Sequence, residues 1–446
     1  MAKTKISDGQ RAYRRRRQRL MRSMGRGGVA VLPTAPVRVR NRDTEYPFRH
    51  DSDFCYLTGF REPEAVMVLA PGRPEGEYIL FCRERDPDME LWNGRRAGTE
   101  GARQHYGADQ ALPISDLDRM LPDLLANREQ LYYTLGKEAG FDARLTEALQ
   151  TVRRRVRTGV RAPAAIVSLE HLVHEMRLFK DVDERALMRK AAQISAAAHR
   201  RAMAICRPGM PEHRLEAELI HEFVAQGARH PAYASIVGGG ANACILHYTE
   251  NSDPLRDGDL VLIDAGAEYE GYAADITRTF PVNGRFSEAQ RQLYALVLAA
   301  QRAAIAKAVP GNRWNEPHDA AVRVLTRGLV RLGLLKGDVR ELIRKGAYRK
   351  FYMHRTGHWL GMDVHDVGEY RIGDRWRPLE PGMVLTVEPG LYVRGGTRGI
   401  AKRWWDIGIR IEDDVLITRS GNEVLTAGVP KEMDEIEALM AAGKSG

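Results

Sequence analysis

The sequence predicts an α/β protein in two parts: an N-terminal α/β domain over residues 1–175 and a larger C-terminal α/β domain over 176–446, built from two related halves. Three observations carry this expectation. At 446 residues the chain is long enough to bury two cores. Its first part alternates short apolar runs with helical patterns. Its second part carries two acid-bearing strand–hairpin units, around 258–282 and 382–419, separated by helical segments.

The first element is a basic helix. Tyr13, Leu20 and Met24 recur at helical spacing and give it an apolar stripe, while Arg14-Arg-Arg-Arg-Gln-Arg19 reads as its solvated face. Residues 1–40 hold twelve Lys/Arg and one Asp, a net of +11, against +9 for the whole chain, so the remainder sums to −2. The excess charge is therefore local, and no nucleic-acid partner is expected. Apolar runs at 29–32, 65–70, 78–82 and 130–135 read as strands. The stretch Val29-Ala-Val-Leu-Pro33 is too brief for a secretory leader, and no segment approaches transmembrane length. Cys55, Cys82, Cys206 and Cys244 show no close pairing, which argues against disulfides and thiolate metal sites. The expectation is a cytoplasmic protein with no membrane partner.

An Ala-rich helix over about 183–205 opens the second part and stops at Arg207-Pro-Gly209; another follows over about 212–226. The segment from Leu260 to Phe280 then reads as a β-hairpin. Alternation puts Asp264 and Asp275 on one face, and a turn centred on Tyr269 and Glu270 sets them directly opposite each other. Their Cβ atoms would be roughly 4.5–5.5 Å apart, so the pair needs a cation between them unless both simply face solvent.

Ser287-Glu-Ala-Gln290 is a capping box that opens a helix ending by Pro310-Gly, and a further helix runs over about 318–335. His354-Arg-Thr-Gly-His358 continues to His365, placing three histidines within twelve residues; Gly357 and Gly361 favour a loop or strand there over a helix. Val384, Thr386 and Glu388 share one face of a strand. Gly408, Arg410 and Glu412 share a face of another, opposite Ile407, Ile409 and Ile411. Each strand thus presents an acid opposite an apolar face.

Together with Glu45-Tyr-Pro-Phe-Arg49, Asp53-Phe-Cys-Tyr-Leu-Thr-Gly-Phe60, Trp92-Asn-Gly-Arg-Arg96, His174-Glu-Met-Arg-Leu-Phe-Lys180 and Cys244-Ile-Leu-His247-Tyr-Thr-Glu-Asn251, these segments resemble aminopeptidase P (Xaa-Pro aminopeptidase) over nearly the full length. That family belongs to the pita-bread metallopeptidases, which also include prolidase. The resemblance implies a C-terminal pita-bread catalytic domain with metal ligands at Asp264, Asp275, His358, Glu388 and Glu412. Asp275 and Glu412 would bridge two ions, and Glu388 would also move the proton of a metal-bridging hydroxide.

Four carboxylates and an imidazole carry a formal −4, which two divalent cations balance; the oxygen-rich set favours Mn²⁺. The resemblance further places His247 and His365 against substrate, with His354 and Tyr392 as further candidates for the pocket. Arg410 is expected to hydrogen-bond ligating carboxylates. The implied substrates are peptides with proline at the second position, whose Xaa-Pro bond is a tertiary amide without an N–H. Prolidase, cutting only dipeptides, is the alternative, and a non-catalytic pita-bread binding protein is a more distant one. A homo-oligomer, dimer or tetramer, is expected, and Trp92 either caps a neighbouring active site or packs in a core. One departure from the family pattern is Gly357, where a small polar residue often precedes the ligand histidine.

Overall fold

A computed structural model of the protein describes residues 8–443. The chain divides into two compact units, Met1–Arg177 and Leu178–Gly446.

The first unit is built on a six-stranded sheet. Across the sheet the strands run Gln110–Pro113, Tyr78–Cys82, Val66–Leu69, Gly28–Pro33, Gln130–Tyr132 and Ala165–Val167. All pair in parallel except Val66–Leu69, which is antiparallel to both neighbours. Val29, Val31, Val68, Ile79 and Phe81 from this sheet meet Leu117, Leu121, Leu145 and Leu149 from helices in one core.

The basic helix, Asp8–Met24, buries Leu20 and Met24 as expected. It also buries two arginines that the charge run reads as solvated. Arg16 and Arg17 are only 7% and 3% exposed. Arg16 stacks over the Tyr56 ring and donates to the Tyr56 carbonyl; Arg17 stacks over Tyr78 and donates to the Leu57 carbonyl at 2.8 Å. Planar guanidinium groups satisfy themselves on aromatic faces and carbonyls where lysines would stay wet.

The second unit repeats one plan twice. Helices Val182–Ile205 and Glu212–Ala225 precede a three-stranded antiparallel sheet of Ile236–Gly239, Leu260–Asp264 and Thr277–Pro281. Helices Glu288–Ile305 and Asn315–Arg331 precede a second such sheet of Val384–Val387, Asp413–Ile417 and Asn422–Val424. Capping boxes start the first helix of each pair: Asp181 with Glu184, and Ser287 with Gln290. Gly390–Val393 pairs with Ile407–Arg410 beside the second sheet. Among the described residues no helix is long and apolar enough to cross a membrane.

The register of the acidic hairpin differs from the expectation. Asp264 faces Thr277, not Asp275, and the hairpin tip is a separate pairing of Ala267–Tyr269 with Tyr272–Ala273. The turn falls on Glu270 and Gly271, with φ of 51° and 80°. Positive φ at both central residues is what a two-residue type I′ hairpin requires, and glycine supplies it without strain at the second. Moving the turn one residue along shifts the pairing by two. Gly266 consequently stands where a side chain has no room: an added Cβ would lie 1.7 Å from the Ala274 carbonyl oxygen.

Arg278, fully buried on Thr277–Pro281, binds the two halves together. Its guanidinium donates to the Glu412 carbonyl at 2.5 Å, the Asp413 carboxylate at 2.7 Å and the Val429 carbonyl at 3.2 Å. The Glu412 amide donates to the Thr277 carbonyl at 3.0 Å. Both acid-bearing units are thereby fixed around one cleft.

Candidate metal centre and active site

The cleft has a volume of about 570 Å³, and Asp264, Asp275, His358, Glu388 and Glu412 all line it. Glu388 and Glu412 each sit just past a strand end, after Val384–Val387 and Ile407–Arg410. His358 lies on an irregular loop. That loop is stitched to the strand by bonds from the Thr386 amide to the His358 carbonyl (3.0 Å) and from the Glu388 amide to the Thr356 carbonyl (2.8 Å). Gly357 belongs to this close approach, since an added Cβ would meet the Thr386 carbonyl oxygen at 2.0 Å.

Ligand-type atoms of Asp275, His358 and Glu412 all lie within 4.8 Å of one another. His358 Nε2 stands 3.4 Å from Asp275 and 3.9 Å from Glu388. The acids outnumber their compensating cations. Burial, then the charges of Asp275, Glu388 and Asp264, pushes the Glu412 carboxyl far above the usual range. Burial also raises Glu388 to about 7, with His358 and Arg410 pulling the other way. Asp275 is raised by burial and by Asp264. Burial alone would raise Asp264 too, but Arg410 and the Tyr233 hydroxyl bring it below the ordinary value. His358 is pushed to about 9: burial opposes its charge, and Asp275 and Glu388 outweigh it. A set of close, buried, under-compensated carboxylates beside an imidazole fits divalent cations, with harder ions favoured by the oxygen donors.

A second cluster provides the contrast. Asp53, Glu170 and His174 in the first unit also bring ligand-type atoms together. There Arg177 lies 2.7 Å from Asp53 and Lys137 3.7 Å from Glu170, so positive charge is already supplied by the chain.

Around the acids, the chain provides an orienting shell. Arg410 donates to Asp264 at 2.6 Å, to Thr277 Oγ1 at 3.0 Å and to the Tyr392 hydroxyl at 2.9 Å. Thr277 in turn donates to Glu412 at 2.6 Å. His365 and His358 meet edge to face with centroids 4.4 Å apart. His247 is exposed on the cleft wall. His354 lies 3.5 Å from Glu388 and 2.9 Å from the Tyr392 hydroxyl. Tyr392 itself is 1% exposed behind His354 and Arg410 and is not part of the cleft wall. Trp92 is no core aromatic: it is 81% exposed.

Three residues that the sequence reading passed over take part. The Tyr233 hydroxyl lies 2.6 Å from Asp264 and 2.5 Å from Asp275, spanning the pair that the hairpin register leaves unopposed. Asp414 accepts from the Asp275 amide at 3.1 Å. Tyr370 lines the cleft and stacks on Trp359 with planes 4° apart. Tyr233 stands alone in Pro-Ala-Tyr-Ala-Ser, where no local pattern marks it.

An acid-lined centre held between two sheet units defines a metallopeptidase of the pita-bread type. The chain belongs to metallopeptidase family M24: residues 186–419 match that family, and residues 13–132 match the aminopeptidase P N-terminal domain. It is 51% identical to a Xaa-Pro aminopeptidase of Escherichia coli, over 97% of this chain and 98% of that one. An aminopeptidase structure from Pseudomonas aeruginosa superposes with a TM-score of 0.97 at 59% identity, covering 98% of this chain and 99% of the other. A zinc-substituted Escherichia coli aminopeptidase P in complex with product superposes with a TM-score of 0.95 at 50% identity, covering 97% and 98%.

Proposed function

We propose that this protein is a two-metal aminopeptidase that releases the first residue from peptides with proline second. The observation that carries this reading is the cleft in which four acids and His358 stand together without enough positive charge. The relatives named Xaa-Pro aminopeptidase support it. Asp264, Asp275, His358, Glu388 and Glu412 would hold the ions, Mn²⁺ by the hardness of the donors. When bound, such ions activate water at neutral pH and polarise the scissile carbonyl.

The chain's own residues do the rest. Glu388, 3.5 Å from His354, moves the proton; Arg410 keeps Asp264 and Thr277 oriented. His247 and His365 hold the peptide, and Ile236, Leu246, Val364 and Tyr370 give the proline ring an apolar wall. Residues 176–446 act as the catalytic domain, with residues 1–175 as a separate N-terminal domain. The protein works in the cytoplasm as a homo-oligomer, dimer or tetramer. Leu91 and Trp92, 84% and 81% exposed, support a subunit contact on the first domain.

The test is cleavage of Gly-Pro-Leu and Gly-Pro by Mn²⁺-loaded protein. Release of glycine from the tripeptide, lost on chelation and restored by Mn²⁺, is expected. Exclusive dipeptide cleavage would make the protein a prolidase, and full activity in the metal-stripped protein would end the two-metal reading.

A further inference from the structure

Arginine in a catalytic cleft is usually committed to a carboxylate, as Arg410 is to Asp264. Arg355 is different. It lines the same cleft, is exposed, and among the described residues its guanidinium has no carboxylate partner. Its guanidinium carbon lies 5.5 Å from the centroid of the Trp376 ring, and the residue also borders a smaller cavity with Asn315, Pro317 and His318. Arg371 lies over the same ring at 4.1 Å, and Arg371 and Trp376 face each other across a short hairpin of Arg371–Ile372 with Arg375–Trp376. Tyr370, at the root of that hairpin, lines the cleft as well.

The backbone at Arg355 is held on both sides. Its carbonyl pairs with His354 Nδ1 at 2.7 Å, and the carbonyl of the next residue, Thr356, accepts from the Glu388 amide at 2.8 Å. A guanidinium parked on an indole above a fixed backbone loses little freedom when it binds, and its outer nitrogens remain available as a fork.

A short Xaa-Pro-Yaa peptide carries an ammonium at one end and a carboxylate at the other. The acids of the metal centre suit the end near the scissile bond, and Arg355 repels an ammonium. Two residues beyond the scissile bond extend at most about 7 Å, at ~3.3–3.6 Å each. Arg355 and the acids of the metal centre line the same cleft. We infer that Arg355, steadied by Trp376, reads the C-terminal carboxylate of tripeptide substrates and biases the enzyme toward short peptides. This rests on the peptidase reading above and assigns its substrate length.

The experiment compares kcat and KM of Mn²⁺-loaded wild-type, Arg355→Met and Arg355→Lys proteins on Gly-Pro-Ala, Gly-Pro-Ala-amide and Gly-Pro-Glu-amide. The wild type is expected to favour the free acid over the amide by about tenfold in kcat/KM, mainly through KM. Arg355→Met should bring that ratio close to one, and Arg355→Lys should restore part of it. If Gly-Pro-Glu-amide matches the free acid in the wild type, a side-chain acid serves equally and the C-terminal assignment is wrong. An acid-to-amide ratio unchanged by Arg355→Met, or absent in the wild type, overturns the inference while leaving the peptidase reading intact. No cleavage of any of the three by the wild type overturns both.

Discussion

Arg410 donates to Asp264 at 2.6 Å across 146 positions of sequence, joining the first acid-bearing unit to the second. The same guanidinium reaches Thr277 and Tyr392, so three acceptors fix its plane. A lysine keeps the charge and cannot serve all three. Arg410→Lys should weaken metal binding by about 10–100-fold, read by calorimetric titration of stripped protein. Binding equal to wild type would show that Arg410 orients nothing the metals use.

Asp264→Asn and Glu412→Gln are expected to abolish peptidase activity with the fold preserved by circular dichroism. Glu412 lies within reach of three other acids, and burial together with their charges disfavours its anion. In stripped protein Glu412→Gln should therefore leave the melting temperature equal to or above that of wild type. A large fall would mean that the carboxylate itself supports the fold.

Gly266→Ala tests the hairpin register. The added methyl would collide with the Ala274 carbonyl, which is backbone and has nowhere soft to go. A loss of about 1–3 kcal/mol in denaturant unfolding is expected, with metal affinity falling alongside. An unperturbed variant would show that the strands can part there without cost.

Acid stability should depend on Asp53. Burial pushes its carboxyl upward, but the His174 hydrogen bond and the charges of Arg177, His174 and Lys137 pull it well below the usual range. The folded state then binds fewer protons than the unfolded chain. The stabilisation is complete above the unfolded value of about 4 and drains away as pH falls through the lower folded value. Asp53→Asn should cost about 3–5 kcal/mol at neutral pH and flatten the loss of stability below pH ~4. A variant whose acid unfolding curve parallels that of wild type would remove Asp53 from this role.

Much of the site could be read from residue order because its acids sit at or just beyond the ends of apolar strands. Val384 to Val387 and Ile407 to Arg410 form as their patterns suggest, and their acids follow at the strand ends. The error at Asp264 and Asp275 has a local cause. Glu270 with Gly271 takes the positive-φ turn, and Tyr-Glu and Glu-Gly are hard to separate without seeing backbone angles. Tyr233 and Asp414 were invisible for another reason: they meet Asp275 only through tertiary folding, over 42 and 139 positions. Arg16 and Arg17 show that a charge run can hide buried members, because stacking on Tyr56 and Tyr78 leaves no trace in composition.

Arg278 holds carbonyls and a carboxylate of the opposite half from inside the core, and Glu412 answers with its own amide to Thr277. Opening either half on its own would break these bonds to the other. In hydrogen exchange, amides of 277–279 and 410–413 should therefore exchange slowly and at a common free energy of opening, as one cooperative block. Peptide traffic through the cleft then falls to the loops around it, leaving the acid cluster as a rigid floor.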